Sequence, residues 1–144
     1  MISGITILDT NVVSEPMQPL PSATVAAWLS EQPSGALFIT TVTVAEILYG
    51  IELLPQGKRR SALLAGVELM FGKVLAGRIL PFDENAARAF SGIAASRRVQ
   101  GRPIATLDAQ IVAIAYSRDA TLATRNTADF EDCGVRLINP WTEV

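Results

Sequence analysis

A chain of 144 residues with 49% hydrophobic residues and a formal charge of −2 is expected to fold as one domain spanning 1–144, with a sizeable core. It contains no histidine, which excludes Ser-His-Asp and Cys-His catalysis, His-ligated zinc and imidazole acid–base chemistry. The single Cys133 excludes an internal disulfide and fits a cytoplasmic compartment.

A sequence pI near 5.1 argues against loose, sequence-blind binding to polyanions. Nucleic acid stays open as a partner, because ten of the twelve basic residues are arginine and several cluster, as in Lys58-Arg59-Arg60 and in Arg97-Arg98 with Arg102. The mean hydropathy of +0.32 offers more apolar surface than a small domain usually hides, so a homodimer or a tightly held partner is expected. No membrane span is expected. The apolar region from Ser61 to Leu80 is broken by Glu68, Lys73 and Arg78, and no basic-then-apolar leader precedes the first strand.

In chain order, Ile5-Thr-Ile-Leu-Asp9 reads as a buried strand ending in a carboxylate, with Thr10 and Asn11 opening the next turn. Pro16 to Pro21 is a proline-marked connection, and Ser22 caps a helix with Val25, Trp28 and Leu29 on one face. Ala36 to Thr40 is a second strand. It runs into a core helix whose Val44, Ile47, Leu48, Ile51 and Leu54 form one stripe. Lys58 to Phe71 is a further helix, Arg78 to Phe82 a short strand, and Asp83 caps a helix that Gly101-Arg-Pro103 breaks. A helix then begins at Thr106 or Leu107 and runs to Tyr116; Thr121 to Thr124 and Val135 to Ile138 are the last strands, and Asn126 to Phe130 forms a single helical turn between them. Strands alternating with helices predict an α/β fold, three layers deep, with a central, mostly parallel sheet flanked by helices.

Four acids share a place in this pattern. Asp9, Glu46, Asp108 and Asp129 each follow closely on a strand or open a helix, where an open α/β sheet gathers its ligand-binding loops. Each also has a bland explanation. Asp9 or Asn11 caps a helix, Thr43-x-x-Glu46 is a capping box, and Asp108 and Asp129 are first-turn acids favoured by the helix dipole. Four carboxylates converging without a cation would raise one another's pKa, and a hard divalent ion removes that cost. Mg²⁺ or Mn²⁺ is the natural candidate, and metal-assisted phosphodiester hydrolysis the leading chemistry.

Four segments occur in order: Leu8-Asp9-Thr-Asn11-Val-Val-Ser-Glu15, Thr43-Val-Ala-Glu46, Asp108-Ala-Gln-Ile-Val-Ala, and Ala123-Thr-Arg-Asn126-Thr-Ala-Asp129-Phe130. Together they resemble PIN-domain ribonuclease toxins of the VapC family. Gly77-Arg-Ile-Leu-Pro-Phe-Asp83 and Asn139-Pro-Trp141 resemble the FitB-like branch. The resemblance implies the toxin of a type II toxin–antitoxin system, an endoribonuclease using Mg²⁺ or Mn²⁺ and leaving 5′-phosphate and 3′-hydroxyl ends. It implies Asp9, Glu46 and Asp108 as metal ligands, with Thr10, Asn11 and Thr124 orienting ligands or the attacking water. Several relatives carry an acid where this chain has Asn126, so Asp129 is taken as the fourth ligand, against a three-acid alternative. The implied partner is a DNA-binding antitoxin. A haloacid-dehalogenase-like phosphatase is set aside because its Asp-x-Asp motif would need an acid at Asn11. The non-enzymatic alternative is an inactive PIN-like module that only holds a DNA-binding antitoxin or repressor.

Overall fold

The computed structural model describes residues 4–33 and 35–143. Its strands are β1 (Thr6–Leu8), β2 (Leu37–Thr40), β3 (Ile79–Leu80), β4 (Thr121–Ala123) and β5 (Leu137–Ile138). Among the described residues they form one five-stranded sheet in the order β3-β2-β1-β4-β5, and every pairing is parallel. The central register sets Ile7 beside Phe38 and Leu122, so that β1 is covered on both edges.

The strands are apolar on both faces because helices cover both. Successive residues alternate between two cores, as the period of a strand demands. Ile7, Leu80 and Leu122 join α5 (Glu84–Val99) and α6 (Thr106–Ser117) on one side. Leu8, Ile39 and Ala123 join α1 (Thr10–Ser14), α2 (Ala23–Glu31), α3 (Thr41–Glu52) and α4 (Lys58–Leu69) on the other. This is the expected three-layer α/β/α arrangement. Ile111 to Ala115 are wholly buried, so one stretch of α6 is apolar all round, as a helix enclosed by its neighbours must be.

Local capping sets the helix starts. Ser22 Oγ accepts the Val25 amide at 3.2 Å, and Asp83 Oδ1 accepts the Ala86 amide at 3.0 Å. Gly101, with φ +74°, ends α5 in the left-handed conformation that glycine adopts without strain.

Three features depart from the sequence reading. The turn after Asp9 extends into the short helix α1. The helix α4 ends at Leu69 and passes into a π-helical turn over Met70–Val74, closed by the Leu75 amide on the Met70 carbonyl at 2.8 Å. The cap of α3 is Thr40, whose Oγ1 accepts the Thr43 amide at 3.1 Å. Thr43 therefore lies inside the first turn and is fully buried. The expected Thr43–Glu46 capping box does not form, because Thr40 already satisfies the donor end of the helix.

Candidate active site

The chain leaves β1 toward β2 and β3 on one side, then returns to β4 and β5 on the other. The strand order reverses between β1 and β4, and an open parallel sheet binds its ligand in the crevice at such a reversal. Asp9 leaves the end of β1, and Thr124 leaves the end of β4. Thr124 Oγ1 donates to Asp9 Oδ2 at 2.7 Å, while the Thr10 amide donates to Asp9 Oδ1 at 2.8 Å. Both carboxylate oxygens are held. Asp9 thus caps α1, as the bland reading expected, and is also tied across the crevice. The Thr124 hydroxyl in turn accepts the Asn126 amide at 3.1 Å.

The third strand end contributes through α3. Thr10 Oγ1 donates to Glu46 Oε1 at 2.7 Å and lies 3.1 Å from Thr43 Oγ1. Glu46 is therefore oriented by a hydroxyl from α1. Asp108 occupies the first turn of α6, and Asp129 lies in the 3-10 turn Thr127–Phe130 that Asn126 precedes. Both were expected as first-turn acids, and both have that position.

Electrostatics joins the four acids. Burial pushes the Asp9 carboxyl above its usual range; the bonds from Thr124 and Thr10 offset part of this, and the charges of Glu46 and Asp129 add to it. Asp108 is pushed up to about 6, first by burial and then by the charges of Asp9, Asp129 and Glu46. The structure thus brings Asp9, Glu46, Asp108 and Asp129 into one field. Among the described residues, no three carboxylate or thiol groups close into a ready-made cation cage.

Asn11 Oδ1 is shielded from solvent and has no hydrogen-bond partner among the described residues. A cavity of about 250 Å³ opens between Arg97, Pro103, Ile104, Ala105, Asp108 and Asp129.

A PIN domain model matches residues 6–134, which takes in all four acids. The chain belongs to the PIN-domain family. Over 135 residues, this PIN domain is 39% identical to Toxin FitB of Neisseria gonorrhoeae, covering 94% of this chain and 97% of that protein. It is 38% identical over 135 residues to VapC ribonuclease Y4jK of Sinorhizobium fredii, covering 94% and 96%. Its fold matches the crystal structure of FitAcB from Neisseria gonorrhoeae with a TM-score of 0.92 and 38% identity, covering 96% of this chain and all of that one. Solved assemblies of the same fold include FitAB bound to a DNA fragment and DNA-bound VapBC from Salmonella typhimurium.

Sequence reasoning missed Arg97 in this PIN domain. It had been grouped with Arg98 and Arg102 as a basic cluster, but Arg97 is 4% exposed and bonded to main-chain carbonyls. Arg102 is paired with Glu131 and Asp132. The cluster is not a free basic face. Arg125 was also passed over; its guanidinium lies 4.8 Å from the centre of the Trp141 ring, beside the β4 end of the crevice.

Proposed function

We propose that this PIN domain is a metal-dependent endoribonuclease, the toxin of a type II toxin–antitoxin pair. The observation that carries the reading is the Asp9–Thr124 bond at the reversal of strand order, with three further acids in the same electrostatic field.

The donor set fits a hard cation. Its side chains are oxygen ligands, like charges are gathered in one field, and Asn11 Oδ1 is an orphaned buried acceptor. Asp9, Glu46 and Asp108 would hold Mg²⁺ or Mn²⁺, with Asp129 as the fourth acid. When bound, the ion supplies positive charge to phosphate oxygens and makes water more acidic.

The chain's own contribution is orientation. Thr124 and the Thr10 amide fix both oxygens of Asp9, and the Thr10 hydroxyl fixes one oxygen of Glu46. Asn11 Oδ1 is shielded from solvent, so an ordered internal water is the partner it would take, since leaving it unpaired costs roughly 1–3 kcal/mol. Hydrolysis in this site would leave 5′-phosphate and 3′-hydroxyl ends.

An antitoxin is the proposed protein partner. A trough lined by Met17, Ile47, Ile51, Leu54, Leu63 and Val67 runs up to Thr10 and Glu46. An apolar segment of the partner laid there would reach the acids, and an arginine at its end would meet their charge. Tyr49 of α3, Leu53 just beyond its end, and Leu64 and Leu69 of α4 remain exposed, which suits this contact and a homodimer face. Among the described residues no helix is long and apolar enough to cross a membrane; a cytoplasmic location is proposed with the toxin role.

The deciding test is Asp9→Asn. It should abolish Mn²⁺ binding in calorimetry and RNA cleavage while the circular dichroism spectrum stays native. Metal affinity equal to wild type would sink the assignment. Wild type that binds no Mn²⁺ would leave the chain as an inactive module holding its antitoxin.

A further inference from the structure

Arg97 sits in the last turn of α5 with its guanidinium buried. Burying a cation is costly unless every donor finds an acceptor. Here Nε donates to the Arg102 carbonyl at 2.8 Å, and Nη1 donates to the Asp129 and Glu131 carbonyls at 3.0 and 2.9 Å. Nη1 also lies 3.5 Å from Cys133 Sγ. An aliphatic side chain would fill the same space without the desolvation cost. What the guanidinium adds is a planar fork of donors with set directions.

Those donors reach two separate segments. One, at Arg102, leads through Pro103-Ile104-Ala105 into α6 and Asp108. The other contains Asp129 itself. Arg97 also bounds the cavity between Asp108 and Asp129. We infer that Arg97 is a positioning residue that holds Asp108 and Asp129 at a set separation from beneath the site. It touches neither carboxylate. It acts through main-chain oxygens. Outside it, Arg102 bonds Asp132 at 2.8 Å and Glu131 at 3.1 Å; that exposed pair closes the same loop but adds little, since solvent screens it.

This inference rests on the reading of Asp108 and Asp129 as cation ligands, and the experiment separates the two. MnCl₂ is titrated by calorimetry, without RNA, into wild type, Arg97→Lys, Asp129→Asn and the double variant. Lysine keeps the buried charge but cannot span three carbonyls. Arg97→Lys should weaken Mn²⁺ affinity roughly 10–100-fold, as loss of a ligand's supporting contact does. In the Asp129→Asn background the same change should cost clearly less, because the two act on one element. Arg97→Met, which removes the buried charge as well, reads the same quantity should the lysine variant not fold. Lowered melting temperature with unchanged affinity would show a purely structural role and overturn the inference, as would losses that simply add. Wild-type affinity in Asp129→Asn would instead remove Asp129 from the ligand set, and the role of Arg97 would fall with it.

Discussion

Thr124 Oγ1 and Asp9 Oδ2 are joined by a 2.7 Å hydrogen bond across 115 residues of sequence. The bond links the ends of β1 and β4, the two strands between which the chain reverses its direction of travel across the sheet. It lies out of solvent, since Asp9 is 6% exposed and Thr124 fully buried. A hydroxyl here both steadies the carboxylate and determines how it faces the crevice.

Thr124→Val keeps the shape and removes the hydroxyl. Asp9 then loses a donor and the Asn126 amide loses its acceptor, so the metal-free protein should lose about 1–3 kcal/mol. Urea unfolding would measure this, and Thr124→Ser should recover most of it. A valine variant as stable as wild type would show that the bond contributes nothing to folding.

Glu46→Gln retains an oxygen that can accept from Thr10, so stability should change by less than about 1 kcal/mol. Cleavage of RNA should nevertheless fall by orders of magnitude if the charge of Glu46 is needed to hold a cation. Near-normal cleavage would leave the Thr10 bond as the only role of this side chain.

Stability should depend on pH through Asp108. Its carboxyl rises from 3.8 to about 6 on folding, so the native state holds the proton more tightly than the unfolded chain. Ionising it therefore costs stability. The cost is absent below 3.8, grows as pH rises, and is complete once pH passes about 6. Asp9 is displaced in the same direction. In metal-free unfolding experiments, Asp108→Asn should gain on wild type across this window and then level off. A difference that stays flat with pH would contradict the shift. Mn²⁺ at pH 8 should stabilise wild type and not the variant.

Asn126 precedes the 3-10 turn that carries Asp129, and its amide is already bonded to Thr124. The Asp129 amide donates to the Asn126 carbonyl at 3.0 Å, which closes the turn and keeps the two residues close. Asn126→Asp should therefore place a further carboxylate beside Asp129, raising Mn²⁺ affinity in calorimetry and lowering stability in its absence. Affinity equal to or weaker than wild type would mean that position 126 faces away from the acids.

Much of the fold was legible because its signals are local. A cap such as Ser22 or Asp83 bonds an amide three residues on, and the apolar stripe of α3 repeats within a turn or two. Those contacts need only neighbouring residues, so the order of strands and helices, the parallel three-layer class and the position of each acid after a strand or at the opening of a helix could be inferred. The family could also be recognised from the ordered motifs. Tertiary structure alone decided the rest. The order β3-β2-β1-β4-β5 depends on which strands meet after the chain has closed. The choice of Thr40 over Thr43 as cap depends on where β2 ends in the sheet. Glu46 acquired its partner from Thr10, 36 residues away. Arg97 reads as surface in any window of sequence, because a helical arginine usually is solvated. Two of its acceptors lie 32 and 34 residues distant, and only the closed fold brings those carbonyls to it.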